Sequence, residues 1–126
     1  MKLGVVGLFV NDVEYAKNFY CKTLGFEVKT FIEKFNFVTV VSEDCEVELL
    51  LEPNDNPIAK DYQEKLYAAK IPAISFIVDN IYEFQNNFED KLDFLMEPFE
   101  VEDSIITCFD DTCGNYIQIY EKKAFD

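Results

Sequence analysis

The chain switches between two hydrophobic periods, and the switches mark out its elements. Apolar residues run almost unbroken from Leu3 to Val10, which predicts a strand. After Asn11-Asp12, a helix-capping pair, Val13, Ala16, Phe19, Tyr20 and Leu24 recur at helical spacing. Gly25 stands where a left-handed helix cap is required. Phe26–Ile32 and Phe35–Val41 then read as strands joined at Glu33-Lys34, and Cys45–Leu51 as a fourth strand. The loop 52–57 leads into a helix over Ile58–Ala69, with Tyr62, Leu66 and Tyr67 as its large side chains. Beyond Pro72 come a strand at Ala73–Val78, a cap at Asp79-Asn80 and a helix at Ile81–Phe88. Strands at Phe94–Met96, Glu100–Phe109 and Asn115–Tyr120 complete the chain, with Asp110–Gly114 as the last turn.

The second half repeats the first. Val10, Asp12, Val13, Leu24 and Phe26 return as Val78, Asn80, Ile81, Leu92 and Phe94, a constant offset of 68. Two copies of strand, capped helix and several strands predict an α/β (α+β) domain of two βαβββ modules. The bounds are about 1–56 and 71–126, with a linker helix at 57–70. Helices packed on one face of each sheet leave the other faces to curl as mixed sheets around a central cavity.

Alternation along the strands assigns the faces. Val6, Leu8, Val10, Val47, Leu49, Leu51, Ile117 and Ile119 pack against helices. Val5, Gly7, Phe9, Glu46, Glu48, Ala73, Ser75, Tyr116, Gln118 and Tyr120 face the cavity. Several of these are too small to fill a core, so the expected cavity is open, floored by Glu48 and Gln118. Its walls are Phe9, Phe109, Tyr116 and Tyr120, a mixture suited to a small molecule.

Composition narrows the chemistry. The chain of 126 residues carries 25 acidic side chains against 11 lysines, and it has neither arginine nor histidine. A net charge of −14 repels phosphate backbones and anionic lipid, so neither nucleic acid nor membrane is expected as a partner. Without histidine there is no Ser-His-Asp triad and no Cys–His nucleophile around Cys113. Cys21, Cys45, Cys108 and Cys113 lack the spacing of a zinc site. The short apolar start ends at Asn11-Asp12, unlike an export signal, and the cytoplasm is the expected compartment.

The segments Val5–Asp12, Ala16, Phe19-Tyr20, Leu24-Gly25-Phe26 and Phe109–Gln118 together resemble the glyoxalase/bleomycin resistance/extradiol dioxygenase superfamily, the vicinal oxygen chelate proteins. The resemblance covers nearly the whole chain and implies a homodimer. Enzymes of that family hold a divalent metal on four strands. Carried across, those positions fall on Val5, Glu48, Ala73 and Gln118. Two hydrocarbon side chains and one neutral amide make a poor donor set, so no metal and no other cofactor is expected. The resemblance implies first a metal-independent binding protein of the antibiotic-resistance kind. A cationic or aromatic ligand suits its acidic, tyrosine-bearing faces. A lyase, isomerase or dioxygenase-like enzyme with Glu48 as catalytic general base is the alternative, and a dimeric scaffold with a collapsed pocket is another.

Overall fold

The computed structural model describes residues 1–123; the last three residues of the expected second module lie outside the described residues. The chain forms two compact units that meet at Glu64/Lys65. Both are α+β, and both are βαβββ-like.

In the first unit β1 (Val5–Val10) leads to α1 (Val13–Asn18), which runs on into a π-helical turn at Phe19–Thr23. The Asp12 carboxylate accepts from the Tyr15 N–H at 3.0 Å, so the expected cap is present. Gly25 ends the helical stretch with φ +86°. β2 (Glu27–Ile32), β3 (Phe37–Val41) and β4 (Glu48–Pro53) follow. The strand order is β1-β4-β3-β2, with β1 parallel to β4 and the other pairs antiparallel. Leu8, Val10, Leu49, Leu51, Val38 and Val40 are buried beneath Val13, Ala16 and Tyr20 of the helix. β3 starts later than the sequence predicts because Glu33–Phe35 coils into a single 3-10 turn, closed by Asn36 at φ 52°. β4 likewise starts at Glu48 rather than Cys45.

α2 (Pro57–Ala68) carries the chain into the second unit, where β5 (Ile74–Ile77) and α3 (Ile81–Phe88) repeat the opening. Asn80 accepts from the Glu83 N–H at 3.0 Å, the same cap 68 residues on. The sheet order is β5-β9-β8-β6, with β8 at Ser104–Asp110 and β9 at Tyr116–Lys122. Two short strands, β6 (Asp93–Phe94) and β7 (Phe99–Val101), share the outer side of β8. Together they correspond to β2; Pro98 between them cannot donate to a ladder and splits the strand. The expected single strand Glu100–Phe109 is a hairpin, because Glu102 at φ 50° turns the chain. Its core is built from Ile81, Leu92, Ile105, Phe109, Ile117 and Ile119. A half-buried aromatic chain flanks it: Phe84 tilts against Phe88 at 4.6 Å and meets Phe94 edge-on, and Phe94 meets Phe109.

The expectation of curled sheets around a central cavity is not met. Each sheet is an open ladder whose end strands, β1 and β2 in one and β5 and β6 in the other, find no further partner within the sheet. Four or five strands fall well short of the roughly eight at which a sheet closes on itself. A bulge between Val28 and Thr30 shifts the register of β2 on β3 by one residue, after which the pairing resumes through Ile32 and Phe37.

Candidate functional site

In the first unit, register and alternation place Val5, Gly7, Phe9, Glu48, Leu50 and Glu52 on the sheet face away from the packed side chains. Val5 is 50% exposed. Thr39, opposite Leu50 on β3, is buried and donates its hydroxyl to Glu48 Oε1 at 2.8 Å. That bond fixes one carboxylate oxygen and leaves Oε2 with no donor among the described residues. Glu52 lies over Gly7: a Cβ added there would come within 2.3 Å of Glu52 Oε2. The absence of a side chain at Gly7 is what lets this carboxylate lie down on the strand. The two acids stand four residues apart on one strand, on one face, with Leu50 between them.

In the second unit the same parity puts Ser75, Ile77, Tyr116, Gln118, Tyr120, Ile106 and Cys108 on the corresponding face. Gln118 donates from Nε2 to Ser75 Oγ at 3.1 Å, and its carbonyl oxygen has no donor among the described residues. Tyr116 carries the ring of Tyr67 stacked on it, centroids 4.7 Å apart and planes within 12°. The Tyr67 hydroxyl donates to Asp110 Oδ2 at 2.5 Å. This bond holds the phenol proton and pushes the tyrosine well above its ordinary titration range. The Cys108 thiol is pushed up to about 11, first by burial and then by the charge of Asp110.

Three placements differ from the sequence reading. Phe109 is fully buried, and its register opposite Ile117 puts it on the helix-packed face beside Phe94. Glu46 precedes β4 and forms an exposed ion pair with Lys2 at 3.0 Å. Ala73 precedes β5 and is held by its N–H to the Tyr116 carbonyl at 2.9 Å. Glu48 accepts from Thr39 and Gln118 donates to Ser75, each a partner from its own sheet.

The sequence already offers Glu52, with Glu46 and Glu48, as an acid favouring a cationic or hydrogen-bonding ligand, and its place on the strand follows because β4 runs to Pro53. Sequence reasoning passed over Tyr67. Tyr67 was obscured by Tyr62, which is 54% exposed. The buried stripe of α2 runs through Ala59 and the polar Gln63, a step of four that arrives next at Tyr67. Gln63 tolerates burial because Nε2 donates to the Phe9 carbonyl at 2.8 Å and Oε1 accepts from Asn54 at 2.6 Å.

The four family metal positions do not fit a metal. Val5 and Ala73 have no donor atom, and Gln118 turns its amide nitrogen to Ser75. Among the described residues no group of three or more His, Cys, Asp or Glu side chains is arranged to hold an ion.

Comparison with known proteins agrees with this picture. Residues 2–119 match the Glyoxalase/Bleomycin resistance protein/Dioxygenase superfamily. An uncharacterised protein of Bacillus subtilis (strain 168), YurT, is 42% identical over 97% of this chain and all of its own length. The crystal structure of UcmS2 superposes with a TM-score of 0.80 at 24% identity, covering 95% of this chain and 97% of that one. TnmS3, an antibiotic binding protein from Streptomyces sp. CB03234, gives 0.74 at 16% identity over 98% and 97% of the two chains. The chain belongs to the glyoxalase/bleomycin resistance protein/dioxygenase superfamily.

Proposed function

We propose that this protein binds a small molecule without a metal, in the manner of the antibiotic-binding members of its fold, and that the ligand is cationic or aromatic. The observation that carries this reading is the pair Glu48 and Glu52. Both sit half-buried on the sheet face opposite the helix, beside Leu50, Gly7 and Phe9, with carboxylate oxygens for which the described residues supply no further donor. Spare acceptors at the edge of apolar surface are the usual makings of a ligand contact, because a few directed hydrogen bonds orient what apolar contact holds. Gln118, Ser75, Tyr116 and Tyr120 supply a neutral, aromatic counterpart on the second sheet. Similarity of fold to TnmS3 supports the same reading. A homodimer in the cytoplasm fits the uncovered edge strands and the four free cysteines.

Three related acridines test it: cationic proflavine, neutral acridine and anionic acridine-9-carboxylate, each titrated while the unfolding temperature is followed. Proflavine should stabilise the protein most and the carboxylate least, since a ligand that binds only the folded chain raises its stability. Glu48→Gln and Glu52→Gln should each weaken the proflavine effect. If no member of the series shifts the transition, the reading fails. Native mass spectrometry then separates binder from enzyme. A bound compound of unchanged mass is expected, whereas a transformed one would move the assignment to Glu48 as general base.

A further inference from the structure

Tyr67 makes, within the second unit, the contacts that a ligand would be expected to make. Its ring lies parallel on Tyr116, a residue of the uncovered face that also carries Gln118 and Tyr120. Its hydroxyl donates to Asp110 Oδ2, while Asp110 Oδ1 is already engaged by the Thr112 N–H at 2.8 Å. Aromatic stacking plus one directed hydrogen bond to a carboxylate is a complete recognition set for a phenol. Tyr67 itself stays 36% exposed, so it lies on the surface rather than sealed in the core.

Its position in the chain also favours release. α2 ends at Ala68, one residue later, and the chain then turns through Lys70 at φ 58°. The last turn is closed by the Ala69, Lys70 and Ile71 N–H groups donating to the carbonyls of Lys65, Tyr67 and Leu66. Helix ends open more readily than helix middles, so a side chain in this turn can leave without unfolding the sheet beneath it.

We propose that Tyr67 occupies a ligand's place in the free protein. A flat aromatic compound bearing an O–H or N–H donor on its ring displaces Tyr67, stacks on Tyr116 and donates to Asp110. The inference rests on the binding function proposed above and deepens it: it names Tyr116 as platform, Asp110 as acceptor and a ring-borne donor as the feature selected. It also gives α2 a regulatory part, because every ligand molecule must first compete with Tyr67.

The test is a fluorescence titration of the full chain with 2-naphthol, with 2-methoxynaphthalene as the analogue that lacks the donor. Tyr67→Ala should tighten 2-naphthol about tenfold, the gain expected if the open form is about a tenth of the population. Asp110→Asn should weaken 2-naphthol relative to the methoxy analogue, which loses no acceptor of its own and gains from the loosened Tyr67. Tyr67→Leu, which keeps apolar bulk on the helix, is the companion should the alanine variant fold poorly, and it should tighten binding in the same direction. If Tyr67→Ala and Tyr67→Leu weaken 2-naphthol or leave it unchanged, Tyr67 is a wall of the site or a bystander, and the proposal is wrong. Absence of 2-naphthol binding in both wild type and variants also overturns it. The acridine series keeps the two ideas apart: stabilisation by proflavine with no dependence on Tyr67 would sink the displacement and leave the binding function standing.

Discussion

On β4 of the first unit the uncovered face carries Glu48, Leu50 and Glu52; on β9, seventy positions later, the same places hold Gln118, Tyr120 and Lys122. On the neighbouring strands Val5 and Gly7 of β1 correspond to Ala73 and Ser75 at β5. On the packed side, by contrast, Val6, Leu8 and Leu49 correspond to the apolar Ile74, Phe76 and Ile119, and the one acid there, Glu121 in the place of Leu51, accepts from the Ile81 N–H at 2.8 Å. The packed positions are constrained because a core must be filled at near-crystalline density. The opposite faces are less restrained, and there one repeat carries two acids while the other carries an amide, a tyrosine and a lysine. Chemistry that departs from the repeat where packing allows it is where recognition is to be sought.

The largest asymmetry lies in the turns between the last two strands of each unit. Asp111 is fully buried in the second unit and accepts from the N–H groups of Cys113 and Asn115 and from the Asn115 side chain. It holds a turn that includes Thr112 at φ 60° and Gly114 at φ 102°. The first unit turns through Ser42–Cys45 with one backbone bond of 3.3 Å and no buried acid. Asp111→Ala should therefore cost about 3 kcal/mol or more in urea unfolding, since each buried donor left bare costs about 1–3 kcal/mol. Glu43→Ala in the first unit should stay within about 0.5 kcal/mol. Equal effects from the two substitutions would show that the Asp111 network does not distinguish the two turns.

Next in size is the contrast in ligand contact. Glu48→Gln gives the first face the amide found on the second, and proflavine should then bind about tenfold more weakly, a change of about 1.4 kcal/mol. Gln118→Glu should do the reverse and strengthen it. If both substitutions leave proflavine affinity untouched, the difference between the faces has no part in binding.

Where the repeat was kept, the two units should respond alike. Asp12→Ala and Asn80→Ala each remove one side-chain cap and should each destabilise by about 1 kcal/mol. A difference between them larger than about that amount would mean that the two helices no longer contribute in parallel.

Much of this was legible in the sequence. The caps at Asp12 and Asn80, the stop at Gly25 and the apolar set Leu8, Val10, Leu49 and Leu51 follow from local rules that the packed structure obeys. Glu48, Gln118, Tyr116 and Tyr120 were placed on the correct face because alternation is strict inside a regular strand. Phe109 was given to the wall with no alternation assigned to its strand, whose start the turn at Glu102 conceals. Glu46 shares the parity of Glu48 and differs only because β4 begins two residues later. The closure of the sheets was not legible at all, since it depends on which edge strands find partners and not on any local pattern.

The last contrast sets one cysteine of each unit against the other. Cys45 is exposed, whereas Cys108 is 3% exposed and its thiol is pushed up to about 11, first by burial and then by the negative charge of Asp110. Only the thiolate reacts with iodoacetamide, and at pH 8 a thiol titrating near 11 is ionised to about one part in a thousand. Cys45 should therefore be alkylated first at pH 8, and Cys108 only when the chain is unfolded, as peptide mass mapping would show. The same shift has a sign for stability. Cys108 titrates near 9.0 when unconstrained and near 11 when folded, so between those values the folded chain holds a proton that the unfolded chain releases. Its contribution is thus fully present below about pH 9 and is lost as the pH rises through about 11. The urea midpoint should fall over that window by more in wild type than in Cys108→Ala, which lacks the titrating group. A Cys108 that labels as fast as Cys45 in the folded protein would mean that the β8/β9 face is far more open to solvent and charge than its packing indicates.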